Sequence, residues 1–311
     1  MTIALVVALP AGGKTTYVKE YTDKGYHRVN RDELGGKLSD LPKIVEDLHS
    51  KGIEKFVLDN TYVNKESRKG IIECAKKLGL PIHCVWLTTS FEDAQYNACQ
   101  RMIRKMGRLL DPTEFKSIKD PNLFPPVALF AYKKNFEKPT VDEGFQTVVQ
   151  VPFVRIKDPK YCNKALILDY DDTLRVTTNP SGYPIKPSDV KVLPGRKEKL
   201  KEYVKKGYVL LGASNQSGVA KGILTVQQAV DCFEETNRQL GVDIDYMFCK
   251  HNIPPVSCYC RKPQVGIAVH FIEKYRLNPS ECIYVGDLKT DETFAQRSGM
   301  KFYYADEFFK R

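Results

Sequence analysis

Leu166-Ile-Leu-Asp-Tyr-Asp-Asp-Thr173 is an apolar run of strand type that stops at two carboxylates, Asp169 and Asp171, with a hydroxyl at Thr173. Residues two apart on a strand project to the same side, so Asp169 and Asp171 are expected to point together. Open α/β sheets place their chemistry where a strand end releases side chains into a crevice. Two convergent carboxylates can hold a magnesium ion, and one of them can attack phosphorus while the other manages the proton. A strand followed by an acidic turn would look the same over eight residues, so the decision falls to the flanking sequence.

The chain has 311 residues, 42% of them hydrophobic, which suits two globular domains each with its own core. No apolar run approaches the roughly 20 residues of a membrane span. Met1–Val7 has no basic leader and reads as a first buried strand, so a soluble intracellular protein without membrane partners is expected. Of the nine cysteines, three crowd into Cys249, Cys258 and Cys260, the pattern of one metal site plus free thiols. The net charge is +10. Residues 1–158 hold 25 basic and 20 acidic side chains and residues 159–311 hold 23 and 18, so each half carries +5. That balance favours polyanionic partners, but without a long basic tract it does not identify one.

In the first half, strand Ile3–Val7 runs into Ala8-Leu-Pro-Ala-Gly-Gly-Lys-Thr-Thr16 and a helix. This is the phosphate-loop pattern except that Ala8 stands where the first glycine would be. Backbone N–H groups around Gly12, Gly13 and Thr16 would wrap a nucleotide's phosphates; Lys14 would neutralise the β and γ oxygens, and Thr15 would hold Mg²⁺ with ATP. Asp32, at the end of Val29-Asn-Arg-Asp32, is a candidate base for an attacking hydroxyl, or equally a helix N-cap. Asp59 closes strand Lys55–Asp59, and helix Lys65–Leu78 and strand Pro81–Leu87 follow. This alternation predicts a parallel, doubly wound sheet. Arg101, Arg104 and Arg108 share one face of a helix over Ala94–Arg108, either a solvated face or a lid that clamps phosphate charge.

Together with Leu58-Asp-Asn-Thr61, Arg68 and Tyr132–Phe145, these residues make the first half resemble the kinase domain of the polynucleotide kinase/3′-phosphatases. The resemblance implies that Asp32 is the base for a 5′-hydroxyl, that Arg101 or Arg104 is the lid arginine, and that Arg68 lies at the substrate; Asp59 resembles the acid at the end of a Walker B strand and is expected at the metal's water shell or at the acceptor substrate.

After a polar, proline-broken linker, four stations occur in order: the Asp169 octapeptide, Ser214 at the end of strand Tyr208–Ala213, Lys262, and Asp287 and Asp291 after strand Cys282–Val285. In this order they resemble the haloacid-dehalogenase phosphatase superfamily. That implies Asp169 as nucleophile, Asp171 as acid and base, Ser214 and Lys262 on the phosphoryl oxygens, and Mg²⁺ on Asp169, Asp171, Asp287 and Asp291. Thr173 and Asn215 are expected beside the substrate. Asp172 departs from the family, which usually has glycine there. Only 41 positions separate Thr173 from Ser214 and 48 separate Ser214 from Lys262, too few for a large cap.

Cys249-Lys-His251 and Cys258-Tyr-Cys260 offer three thiols and an imidazole in one compact loop, the donor set of a tetrahedral structural zinc. This loop resembles the histidinol-phosphate and heptose-bisphosphate phosphatases, which leaves the phosphatase substrate open.

The expectation is an α/β protein of two doubly wound parallel sheets: a phosphate-loop kinase over 1–158, then a phosphatase with a small zinc-bound loop over 159–311. Its expected work is healing of DNA or RNA ends, with 5′-hydroxyls phosphorylated by ATP and 3′-phosphates removed, in functional coupling to a ligase. The rivals are a small-molecule kinase fused to a sugar- or histidinol-phosphate phosphatase, and a nucleotide-sensing scaffold. The scaffold is disfavoured because Lys14, Thr15, Asp169, Asp171 and Asp287 are all present.

Overall fold

A computed structural model describes residues 2–180, 182–252 and 257–310; residue 1 of the opening segment lies outside them. Contacts divide the chain into two compact units, Met1–Ala98 with Ile118–Arg155, and Cys99–Ser117 with Ile156–Arg311. The sequence places one boundary after residue 158. The contacts place it after Arg155 and also assign residues 99–117 to the second unit, so helix Phe91–Met106 begins in one unit and ends in the other.

The first unit holds strands β1 (Thr2–Val7), β2 (His27–Val29), β3 (Lys55–Leu58), β4 (Ile82–Leu87) and β5 (Thr147–Val151). They form one sheet in the order β2-β3-β1-β4-β5, every pair parallel. The alternation along β1 shows why this sequence makes a central strand. Ile3, Leu5 and Val7 enter one core cluster, with Leu41, Val45 and Ile71 from the helices on that face. Ala4 and Val6 enter another cluster, with Val18. A strand buried on both faces has to be apolar throughout.

The second unit holds β6 (Ala165–Leu168), β7 (Arg175–Thr177), β8 (Val190–Val192), β9 (Val209–Asn215), β10 (Asp245–Cys249), β11 (Ile283–Gly286) and β12 (Lys301–Tyr304). The main sheet runs β10-β9-β6-β11-β12, all parallel, and β7 and β8 pair antiparallel. Its core gathers Leu166, Leu168, Leu210, Phe233 and Val285.

Both sheets reverse their strand order at one place. The chain leaves β1 for β2 and β3 on one side and returns for β4 and β5 on the other; β6 does the same between β9 and β11. The crevice beyond the carboxyl end of such a strand is where open α/β sheets bind ligands. The Ala8–Thr16 loop follows β1 directly, and Asp169 follows β6 directly. The two-sheet α/β expectation therefore holds, and the two motifs read first in the sequence stand at the two switch points.

Candidate active sites

In the first unit the loop after β1 turns on two left-handed residues, Ala11 at φ 56° and Gly13 at φ 88°. Gly12 is fixed by space, since a Cβ there would lie 2.7 Å from the Leu9 carbonyl oxygen and 3.0 Å from the Ala8 Cβ. Ala8 itself is accommodated, almost fully buried. The loop is held from outside: Thr89 Oγ1 donates to the Gly12 carbonyl at 2.8 Å, and Asn97 Nδ2 to the Ala11 carbonyl at 2.8 Å. Lys14 opens helix Lys14–Thr22, with Thr15 and Thr16 behind it, and its Nζ donates to the Ala8 and Leu9 carbonyls at 3.1 and 3.0 Å. The ammonium thus sits over the hollow where phosphate oxygens would compete for it.

Asp32 lies on the short helix Arg31–Leu34 and is not its cap. Asn30 is the cap; its side chain accepts from the Asp32 and Glu33 N–H groups. The Asp32 carboxylate is 38% exposed and meets Arg31 Nη2 at 2.8 Å, so it is open to a ligand.

Two residues expected at the substrate are engaged elsewhere. Arg68 is fully buried, donates to both oxygens of Glu143 at 2.7 and 2.8 Å, and reaches the Tyr62 carbonyl at 3.2 Å. Asp59, 2% exposed, accepts from Arg28 at 3.0 and 2.7 Å and from Asn30 at 2.9 Å. Both charges brace the fold, because a buried ion is tolerable only when paired and hydrogen-bonded. Arg101 and Arg104, the lid candidates, lie in the part of their helix that belongs to the second unit. There Arg104 Nε donates to Glu273 at 2.8 Å and Nη2 to Tyr161 at 3.2 Å.

In the second unit the four expected stations converge. Asp169 is 7% exposed, and Lys262, 3% exposed, places its Nζ 2.9 Å from the Asp169 carboxylate and 2.7 Å from that of Asp291. The ammonium also donates to the Tyr284 hydroxyl at 2.9 Å, which donates to Asp291 at 3.1 Å. Burial pushes the Asp169 carboxyl up to about 7 against the pull of Lys262, and burial with the Asp291 charge pushes Asp287 up to about 6. Burial also opposes the Lys262 ammonium, but Asp169 and Asp291 hold its pKa above the ordinary value.

The oxygens of Asp169, Asp287 and Asp291 lie within 4.8 Å of one another. Asp291 is already supplied by Lys262, Tyr284 and the Leu288 N–H, whereas Asp287 Oδ1 is buried with no hydrogen-bond partner among the described residues. A hard cation on Asp169 and Asp287 would satisfy that orphan and offset the excess of acid, so these residues fit Mg²⁺. Asp291, expected as a ligand, stands in this cluster and also anchors the lysine. Gly286 is required beside it, since a Cβ there would come within 2.5 Å of the Asp291 Cβ.

Asp171, also expected on the metal, is outside this cluster. Arg175 Nε donates to its Oδ1 at 2.9 Å and Gln216 Nε2 to its Oδ2 at 2.8 Å. Gln216 donates as well to Ser214 Oγ at 3.1 Å, tying the two stations together. Arg175 is 1% exposed and is held by the Cys232 carbonyl at 2.7 Å and Thr236 Oγ1 at 3.0 Å. Sequence reasoning missed both supports. The available signal for Arg175 was a cation four residues after Asp171, at the start of β7.

Asn215 and the Lys262 backbone exchange hydrogen bonds at 3.1 and 3.0 Å, so Asn215 sets the lysine while also lining the cleft. Thr173 is fully buried, and its hydroxyl has no partner among the described residues. Asp172 takes the left-handed backbone, φ 57°, that its usual glycine would supply, a conformation Asp tolerates better than most residues. Beside Asp171 opens a cleft of about 220 Å³ lined by Tyr183, Gln216, Ser217, Lys221 and Ile223. From Thr173 to Ser214 the chain spends its residues on the β7–β8 hairpin and helix Arg196–Lys205, in line with the expected lack of a large cap.

The loop after β10 gathers the other donor set. Cys249 Sγ lies 3.7 Å from Cys258 Sγ and 3.5 Å from His251 Nδ1, which lies 3.2 Å from Cys260 Sγ. Three sulfurs at about 2.3 Å and a nitrogen at about 2.0 Å from one zinc would stand about 3.5–3.8 Å apart, so the donors match a tetrahedral ion.

The polynucleotide kinase 3 phosphatase family model matches residues 164–309. The bifunctional polynucleotide phosphatase/kinase of Schizosaccharomyces pombe is 34% identical over 157 residues, 50% of this chain and 35% of that protein. The chain thus spans about a third of that relative's length. The D-glycero-beta-D-manno-heptose-1,7-bisphosphate 7-phosphatase of Haemophilus influenzae is 33% identical over 138 residues, 42% of this chain and 73% of that protein. Among solved structures, the D,D-heptose 1,7-bisphosphate phosphatase of B. bronchiseptica with magnesium and phosphate aligns over 46% of this chain and 79% of its own, at 24% identity and TM-score 0.41.

Proposed function

We propose, for a chain that belongs to the polynucleotide kinase/phosphatases and carries their haloacid-dehalogenase phosphatase domain, that it heals nucleic-acid ends at two sites. The second unit removes a 3′-phosphate. The observation that carries this is the junction of Asp169, Asp171, Ser214 and Lys262 at one strand-order reversal, beside a cleft without a large cap. Asp169 attacks phosphorus, the bond to the 3′-oxygen breaks, and Asp171 gives that oxygen its proton. Asp171 then takes a proton from water, whose oxygen attacks the aspartyl-phosphate; inorganic phosphate leaves and Asp169 is restored. Lys262 and the Ser214 hydroxyl bind the phosphoryl oxygens. Mg²⁺ on Asp169 and Asp287 would supply charge neutralisation for the phosphoryl group.

The first unit phosphorylates a 5′-hydroxyl with ATP. Lys14 leaves the Ala8 and Leu9 carbonyls for phosphate oxygens, Thr15 serves Mg²⁺-ATP, and Asp32 accepts the hydroxyl proton. DNA or RNA ends are then the partners, and a ligase consumes the product. Among the described residues no helix is long and apolar enough to cross a membrane. The Cys249–Cys260 loop holds a structural zinc ion.

The test is one oligonucleotide with a 5′-hydroxyl and a 3′-phosphate, incubated with ATP and Mg²⁺. Wild type should convert both ends, Lys14→Ala only the 3′ end and Asp169→Asn only the 5′ end. A wild type that changes neither end while hydrolysing a small phosphate ester would refute the reading. The metal loop and the likeness to heptose-bisphosphate phosphatases favour a second reading, a sugar-phosphate substrate for the second unit. A heptose bisphosphate hydrolysed far faster than the 3′-phosphate would decide for it.

A further inference from the structure

The metal loop has a partner that the sequence assigns to the other half of the chain. His251 turns Nδ1 towards the three sulfurs, and its Nε2 lies 3.1 Å from Asp111 Oδ2. An imidazole that gives Nδ1 to a metal keeps its proton on Nε2, and that N–H needs an acceptor. Asp111 is placed to be one. Its other oxygen, Oδ1, accepts from the Thr113 hydroxyl at 2.9 Å and the Thr113 N–H at 3.2 Å. The Asp111 N–H donates to Glu114 at 2.7 Å, and Glu114 is gripped in turn by Arg108. The carboxylate is thus aimed before any metal arrives. The other charge facing it is Lys250, whose Nζ lies 3.3 Å from Oδ2.

Residues 99–117 are fastened to the second unit at further points. Gln100 and Arg104 both bind Glu273, at 2.7 and 2.8 Å. Leu109 and Leu110 are buried, and the Leu109 side chain packs close to Gly266, where an added Cβ would lie 3.0 Å from it. The metal loop is therefore one of several anchors for this arginine-bearing segment, and its strength would change with metal content.

We propose that Asp111 is a positioning residue for the metal loop, holding the tautomer and ring plane of His251, and that metal binding and the seating of residues 99–117 are linked through this contact. The inference rests on the zinc reading of Cys249, His251, Cys258 and Cys260. Linkage is reciprocal: whatever the segment adds to metal affinity, the metal returns to the segment's stability. Carboxylate partners of a ligating histidine are worth about 10- to 100-fold in metal affinity, so Asp111→Ala should weaken zinc binding by that factor. Asp111→Asn retains an acceptor oxygen and should lose less. Lys250→Ala, which touches the carboxylate but not the ring, should bind zinc as wild type does.

The experiment uses the full chain, stripped of metal and titrated with zinc against a chromophoric chelator, followed by amide hydrogen exchange with and without zinc. The expected result is the order wild type, Asp111→Asn, Asp111→Ala in falling affinity, with zinc slowing exchange across residues 99–117 in wild type but not in Asp111→Ala. If wild type binds zinc and Asp111→Ala binds it equally, the proposal falls and the zinc reading stands. Zinc binding that leaves exchange at 99–117 unchanged in wild type also overturns the linkage. A wild type that takes up no zinc removes the metal reading, and the proposal with it.

Discussion

Replacing Glu143 by Ala leaves the Arg68 guanidinium uncompensated in the core of the first unit. The pair is among the most enclosed in the protein: the Arg68 side chain is fully buried and that of Glu143 is 6% exposed, joined by two hydrogen bonds at 2.7 and 2.8 Å. Removing one partner of a buried pair costs about 3–5 kcal/mol, because the remaining charge keeps its desolvation penalty and loses its counterion. With a urea slope of about 2 kcal/mol per molar, that cost should lower the unfolding midpoint by about 1.5–2.5 M. The chain's single tryptophan, Trp86, lies in β4 of the same unit with its ring 5.5 Å from that of Phe136, so its fluorescence reports this transition. The double replacement Arg68→Met, Glu143→Leu removes both charges and should cost less than the two single changes summed. A midpoint shift below about 0.5 M in Glu143→Ala would refute the bracing role. The substrate role read from the sequence makes the opposite forecast, in which Arg68→Met abolishes 5′-phosphorylation and leaves the transition in place.

Three further outcomes follow from single contacts. Gln216→Ala frees both Asp171 and Ser214 from their shared donor, and should lower the proposed 3′-phosphate removal by about 10- to 100-fold while the proposed 5′-phosphorylation is unchanged in the same assay. Gly12→Ala puts a Cβ 2.7 Å from the Leu9 carbonyl oxygen; that strain, about 1–3 kcal/mol, should weaken calorimetric ATP binding by about 10- to 100-fold. Burial pushes the His270 imidazole below its ordinary 6.5, with Lys274 adding to the effect. Between its folded value and 6.5 the unfolded chain binds more protons, so stability is complete above 6.5 and falls as pH falls. The second unit of His270→Phe should therefore lose less thermal stability than wild type between about pH 7 and pH 5.5.

The parts of the fold that were legible are those whose information is local. The apolar runs of β1 and β6 and the residues that follow each are contiguous, and a strand-to-helix turn allows few backbone paths, so the loop at Gly12 and Gly13 and the carboxylate Asp169 fall where their order suggests. Strands β5, β10 and β12 were not assigned. β5 and β12 are half exposed along much of their length, and β10 leaves only Cys249 fully buried. Edge strands of this kind lack the continuous apolar run that announced β1 and β6.

What was not legible is the partner of each charge. Asp59 and Arg68 sit beside motif residues and carry the right sign for a substrate site, yet their counterions are 31 and 75 positions away. Nothing in the local sequence separates a charge aimed at a ligand from one aimed at another side chain. The arginines of helix Phe91–Met106 make the same point more sharply. Their spacing is that of a basic face, yet Arg104 is answered by Glu273, 169 positions on, within the second unit. Asp111 lies between helix Phe91–Met106 and the short 3-10 helix Glu114–Lys116 with no motif around it, and its role is visible only once His251, 140 positions later, turns Nε2 towards it. Residues 99–117 therefore belong to the second unit although they lie within the first half of the sequence. A cut between them at residue 158 would leave residues 99–117 on the wrong fragment, so a second unit expressed from residue 159 should hold zinc less tightly than the full chain does.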